Sequence, residues 1–345
     1  MKVDSNSAVL EFIRNNPNCS SMDIFEKANT SLGLATIKRI LQKNVGLGYL
    51  QVAGKAKNTR YSIGSYFQFL YPIDIDDYFK KEIDERNSNT VFNYQVFEFF
   101  KNCTVFEQEE LDRLNVLQDQ FAKNTKHLTD LEYHSELERL AIDLSWKSSQ
   151  IEGNTYSLLE TERLLKDKET ASGKTKEEAI MLLNHKEAID FIVVNPDYLE
   201  TLTVSKLENI HSLLIKDLNV DKNIRKRRVG ITGTNYRPID NEFQIREALE
   251  MMCGIINTET NVFIKSLYTL VLLSYIQAFN DGNKRTARIV SNAILLSKKY
   301  CPISFRTVDT LVYKKAMLVF YEQNNIYPFK KIFIEQFDFA VKHYF

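Results

Sequence analysis

Only 17 of the 345 residues are glycine or proline. That is about 5% of the chain, against an ordinary share near 12%. A chain so short of turn and breaker residues does not suit an all-β sandwich, a collagen-like repeat or a low-complexity linker. It predicts long helices joined by few tight turns. With 44% hydrophobic and 26% charged residues it can bury a sizeable core, and its length suits two or three domains.

Other classes fall quickly. No run of about 18 apolar residues occurs, so no membrane span is expected. The first residues lack the apolar stretch and cleavage site of a signal peptide. Cys19, Cys103, Cys253 and Cys301 are scattered and form no CxxC pair, which predicts reduced thiols and a cytoplasmic protein. The five histidines show no zinc-ligand spacing.

The net charge of zero hides a division. Residues 1–64 carry nine Lys/Arg against four Asp/Glu, a charge of +5, so the remainder carries −5. A basic head on an acidic body points to an anionic partner for the head. Val9, Leu10, Phe12 and Ile13 make one short apolar face. Ser20 or Ser21 can cap a second helix holding Ile24, Phe25 and Ala28. Leu34, Ile37, Ile40 and Leu41 give a third, decorated by Lys38, Arg39 and Lys43. Residues 49–63 then read as a hairpin with a basic tip at Lys55 and Lys57. Three short helices and a basic hairpin resemble a winged helix-turn-helix domain, which would bind DNA through the third helix and the wing. The alternative is a small protein–protein module. Residues 65–125 read as a helical bridge, with Phe92, Tyr94, Val96, Phe97, Phe99, Phe100, Leu111, Leu114 and Leu117 as packing residues.

The most informative stretch runs from Leu270 to Ser297. An apolar segment, Leu270 to Ile276, meets the polar run Gln277-Ala-Phe279-Asn-Asp281-Gly282-Asn283-Lys284-Arg285-Thr-Ala-Arg288, and a second apolar helix follows. Gly282 lets the backbone approach a ligand closely. The loop opens a helix whose first amides attract anions, and Lys284, Arg285 and Arg288 add positive charge there. Asp281 offers a hard oxygen ligand for Mg²⁺. Together these suit a nucleotide polyphosphate with Mg²⁺. The plain alternative is a solvated helix start with ordinary capping.

This stretch resembles the Fic family signature, HxFx(D/E)GN(G/K)RxxR, at seven positions: Phe279, Asp281, Gly282, Asn283, Lys284, Arg285 and Arg288. Gln277 stands where the family has its catalytic histidine. A second segment, Ser148-Ser-Gln-Ile-Glu152-Gly153, fits the (S/T)xxxE(G/N) motif of Fic proteins with a built-in inhibitory helix, here expected over about 136–153. Residues 228–238, with Gly233, Thr234, Asn235, Tyr236 and Pro238, sit where the family places a β-hairpin flap that docks the target's main chain. The resemblance covers residues 126–345.

The resemblance implies a mainly α chain: a winged helix domain, a helical bridge and a helical Fic domain with one small flap. It implies AMP transfer from ATP to a Ser, Thr or Tyr hydroxyl of a target protein. Gln277 and Phe279 would hold the catalytic positions, and Asp281 would hold Mg²⁺. Gly282, Asn283, Lys284, Arg285 and Arg288 would bind the nucleotide, with Arg288 on the γ-phosphate. Glu152 would pair with Arg288 in an inhibited state. A glutamine cannot serve as general base, so ATP binding is expected to outlast catalysis. Two alternatives remain: a DNA-binding regulator that uses the domain as a nucleotide sensor, and the Doc-like phosphotransfer that Lys284 suggests. His211 is expected to be a structural helix histidine.

Overall fold

The computed structural model describes residues 5–345, so residues 1–4 of the expected head lie outside the described residues. The described chain is mainly helical, with a single two-stranded sheet. It divides into two compact units, one ending at Ile73 and the other running from Asp74 to Phe345.

In the first unit, α1 (Ser5–Asn15), α2 (Ser21–Lys27) and α3 (Leu34–Gly46) precede β1 (Leu50–Ala53) and β2 (Arg60–Ile63). Ser20 caps α2: its hydroxyl accepts from the Asp23 amide, and the Asp23 carboxylate accepts from the Ser20 amide. The strands are antiparallel in the register Leu50 to Ile63, and Tyr61 also bonds the Cys19 carbonyl at 2.8 Å. Val9, Leu10, Ile13, Ile24, Ile37, Leu41 and Leu50 form the core.

The stretch expected as a separate bridge is shared between the units instead. Residues 65–73 pack on the head, where Tyr71 stacks on Phe67 at 4.4 Å and the Tyr49 hydroxyl donates to the Leu70 carbonyl. Residues 74–125 belong to the second unit, where Phe92 stacks on Tyr275 at 4.5 Å and Phe100 meets Tyr268 edge-on at 4.4 Å. The aromatic rings, read as packing, are what divide the stretch.

The longer helices of the second unit are α4 (Gln108–Thr125), α5 (Asp130–Ile151), α6 (Lys176–Val194), α7 (Val204–Leu214), α8 (Glu242–Thr258), α9 (Val262–Ile276), α10 (Asn283–Ser297), α11 (Thr310–Gln323) and α12 (Tyr327–Tyr344). Capping boxes start α5 at Thr129 and α6 at Thr175, and Asn241, Asn261 and Asp309 cap α8, α9 and α11. The α9 helix is apolar all round and buried along nearly its whole length. It pairs with α10, and α5, α6 and α7 pack around α10. The loop joining α9 to α10 is therefore held at the centre of the unit.

The expected inhibitory helix is α5, which begins at Asp130, six residues earlier than anticipated, because the Thr129–Glu132 capping box sets its start. The expected flap hairpin does not form. Residues 228–238 are an irregular loop whose one bridge, Arg237 with Val91, is to another segment. The chain turns at Gly233 (φ +89°), and Tyr236 then inserts into the core between Tyr275 and Tyr321. Burying that ring draws the second arm of the loop away from the first.

Candidate functional site

The loop between α9 and α10 owes its shape to two left-handed residues. Gln277 ends α9 with φ +53°, and Gly282 opens α10 with φ +79°. A Cβ on Gly282 would also come within 3.3 Å of the His211 ring. No side chain caps α10, so its first-turn amides keep their donors for a ligand.

Asn283 is turned inward. Its side chain accepts from the Phe279 amide at 2.8 Å and donates to the Phe279 carbonyl at 2.7 Å, so it staples the loop. The resemblance gives Asn283 to the nucleotide; in this geometry only its backbone amide is turned to that use. Phe279 is fully buried and stacks on His211 at 3.7 Å. His211 Nε2 lies 2.9 Å from the Asp281 carbonyl. It is a structural histidine as expected, and it forms the floor of the loop, a placement its sequence surroundings do not signal.

Gln277 is buried and its amide is committed. Nε2 donates to the Ser274 carbonyl at 2.7 Å and to the Tyr321 hydroxyl at 3.2 Å, while Oε1 accepts from Asn283 at 3.3 Å. Arg225 fixes the same turn from outside. Its amide donates to Ala278 O at 3.0 Å, its Nε to Gln277 O at 2.6 Å, its Nη1 to Arg227 O at 2.9 Å and its Nη2 to Ile239 O. Sequence reasoning misses this residue, because an arginine among Lys226, Arg227 and Arg228 reads as one more solvated cation.

Glu152 ends α5, with Gly153 following at φ +102°. Its carboxylate sits between two cations: Oε1 lies 2.9 Å from Arg288 Nη2 and Oε2 lies 2.8 Å from Lys284 Nζ. Burial alone would raise this carboxyl, but the Lys284 and Arg288 charges and hydrogen bonds override it and hold it at about 2. Arg288 is fully buried and also donates to the Ser148 hydroxyl at 2.7 Å and the Ser148 carbonyl at 2.9 Å. The Ser148 hydroxyl lies 2.7 Å from His185 Nε2. Burial, with the Arg288 and Arg285 charges, keeps the His185 imidazole well below its ordinary range and therefore neutral. The sequence anticipates the Arg288 pairing and not the Lys284 pairing. A signal for the second is present, since residues 284 and 288 are one helical turn apart on one face.

Asp281 offers a single carboxylate. Oδ1 accepts from the Gly282 amide at 2.6 Å, and Oδ2 pairs with Arg285 Nη2 at 2.8 Å. No cluster of three acidic, histidine or cysteine ligands occurs among the described residues. One carboxylate fits Mg²⁺ shared with phosphate oxygens better than an all-protein metal cage. Arg285 Nε and Arg288 Nη1 are buried without a hydrogen-bond acceptor, which fits an anion more than a closed structural network. The loop at Gly233 to Pro238 lies beside this turn: the Tyr236 hydroxyl donates to Tyr275 O at 3.3 Å, and Tyr236 stacks on the Tyr321 that bonds Gln277.

Residues 201–295, from just before α7 to near the end of α10, match the model of the Fic/DOC family. That stretch is similar to the Fic/DOC family. Two curated relatives are similar to part of the chain. A protein adenylyltransferase Fic of Culex quinquefasciatus is 25% identical over 205 residues, covering 57% of this chain and 40% of the relative. The protein adenylyltransferase fic-1 of Caenorhabditis elegans is 22% identical over 201 residues, covering 56% of this chain and 39% of the relative. The chain thus spans about two fifths of the length of these relatives. Among solved structures, Fic-1 of C. elegans superposes with a TM-score of 0.60 at 18% identity, over 68% of this chain and 72% of that one. A Fic domain-containing signalling protein of Bacteroides thetaiotaomicron gives 0.56 at 20% identity, over 67% and 96%. Over those lengths these structures share a fold with this chain.

Proposed function

We propose that the Fic domain binds ATP with Mg²⁺, is of the adenylyltransferase type, and is held off by Glu152. One observation carries this reading: a carboxylate stands between Lys284 and Arg288, on the face of α10 where a phosphate would be received. Asp281 would hold the metal, and the α10 amides with Arg285 would receive the phosphates. Bound Mg²⁺ would neutralise phosphate charge. While Glu152 holds both cations, neither is free for the nucleotide.

Gln277 limits the chemistry. The acceptor is a Ser, Thr or Tyr hydroxyl of a target protein, whose main chain would dock on the loop of residues 228–238. That hydroxyl must lose a proton, and an amide has no basic nitrogen to take it. Loss of a general base costs about 10²–10⁴-fold, so binding outlasts transfer. The four cysteines are free and buried, which suits a cytoplasmic setting.

Calorimetric titration with ATP and Mg²⁺ tests the reading. Glu152→Gly should bind at least about tenfold more tightly than the native protein, which is about 1.4 kcal/mol. Protein labelling from α-labelled ATP should appear only when Gln277→His is added. Absence of ATP binding by Glu152→Gly rejects the proposal, and label arriving from the γ-position instead assigns phosphotransfer. A second reading, a DNA-binding regulator that senses nucleotide, is favoured by the basic groove of the first unit described below.

A further inference from the structure

The loop at residues 233–237 already has a partner within the chain. Residues 84–91 run beside it as a strap, which leaves a short 3-10 turn at Ile83–Glu85 and continues without regular structure to the bridge at Val91. The Arg237 amide donates to Thr90 O at 3.0 Å, and Val91 and Arg237 form a parallel β-bridge. Arg86 Nη2 donates to Gly233 O at 2.9 Å, and Asn235 Nδ2 donates to the Asp84 carboxylate at 2.9 Å. On its other side the strap is tied to the end of α11: Asn89 N donates to Glu322 O at 2.7 Å, Gln323 donates to Asn87 O, and Arg86 pairs with Glu322 at 3.2 Å.

The strap is attached but scarcely packed. Arg86 is its one buried side chain, and Val91 is 66% exposed. Few apolar contacts hold the segment, so the buried Arg86–Glu322 pair is its main anchor. On the loop's side two of these bonds use its main chain, the Arg237 amide and the Gly233 carbonyl, which an extended peptide can also engage. The edge also lies near the chemistry, because Tyr236 of this loop stacks on the Tyr321 that bonds Gln277.

We infer that the edge at residues 233–237 is a docking surface for an extended peptide main chain, and that residues 84–91 occupy it in cis until a target displaces them. This rests on the reading of the loop as the target-docking element. It adds a second hold on the domain, on the target side, independent of Glu152 on the nucleotide side. A tethered strap acts at an effective concentration in the millimolar range. The apparent affinity for a target is then reduced by the fraction of molecules whose strap is open.

The test needs no nucleotide. Arg86→Met with Glu322→Gln removes the buried ion pair and leaves no unpaired charge behind. The probe is a fluorescein-labelled peptide of residues 84–91, followed by anisotropy. The opened variant should bind it at least about tenfold more tightly than the native chain. Adding Val91→Cys and Arg237→Cys to the opened variant and oxidising them should return binding to the native level, and reduction should release it. Equal binding by native and opened chains, no binding by either, or binding indifferent to the cross-link each overturns the inference. Circular dichroism confirms that the variants are folded. A failed ATP titration with intact peptide binding would count against the nucleotide reading, and the reverse pattern against the strap.

Discussion

Glu152 accepts one charge-assisted bond from a fully buried guanidinium and another from an ammonium on the same helix face. Such bonds contribute about 1.5–3 kcal/mol each. Its folded value of about 2 lies below its ordinary 4.5. A carboxyl depressed on folding stabilises fully above its unfolded value, and that stabilisation drains away as pH falls toward the folded value. The Glu152 pairing therefore persists throughout the neutral range and does not answer to physiological acidification. Glu152→Gln keeps the shape and removes the charge. At pH 7 it should unfold about 1–3 kcal/mol more easily than the native protein, and the gap should close as pH is lowered from about 5 toward the folded value of about 2. Urea unfolding at stepped pH measures both values. A gap that stays constant to the acid end would show that the charge pairing is not its source.

At the scale of elements, the site is a turn between two helices that other segments hold still. Arg225 is the clearest holder, because its planar fork serves three carbonyls from three segments: Gln277 in the turn, Ile239 after the loop, and its neighbour Arg227. Lysine can serve one of them. Arg225→Lys should cost about 2–4 kcal/mol, since buried acceptors lose their donors, and should weaken ATP binding along with stability. Calorimetry should find the melting temperature lower by several degrees; an unchanged value would mean the fork is replaceable. What could be read in the sequence follows the same division. The helices around the turn were legible, because an apolar run such as Leu270 to Ile276 and a periodic one such as α5 state their structure locally, although the cap that starts α5 at Thr129 was not read. The pairing of Glu152 with Arg288 was reachable only through the family motif, as nothing local links residues 136 positions apart. Arg225, the inward turn of Asn283 and the strap were not legible. Arg225 and the strap are fixed by carbonyls far along the chain, and Asn283 by the left-handed turn that brings Phe279 back to it. The hairpin expected at residues 228–238 failed for a related reason: burial of Tyr236 outweighed the turn signals around Gly233.

Across the whole molecule, the neutral net charge resolves into a basic first unit and an acidic second one. The first unit gives that charge a shape. A groove of about 790 Å³ runs between α2, α3 and the hairpin, lined by Lys38 and Gln42 of α3 and by Lys57 and Arg60 of the hairpin. Lys38 and Gln42 are four residues apart and share one face of α3, turned away from the core residues Ile37 and Leu41. A helix face and a wing that both present cations to one groove suit a duplex, with the wing on phosphates. The full chain should then bind double-stranded DNA with an affinity that falls steeply with salt. Lys57→Ala with Arg60→Ala should weaken binding to all sequences alike. It should also reduce the slope of log K against log salt by about 2, since each phosphate left without its cation removes about 0.9. Anisotropy titrations at several salt concentrations read the slope directly. Binding that ignores salt, or a slope the double variant leaves unchanged, would assign the groove to another partner. The same titration with and without ATP and Mg²⁺ decides the sensor reading, because a nucleotide that leaves DNA affinity unchanged has no coupling free energy to transmit.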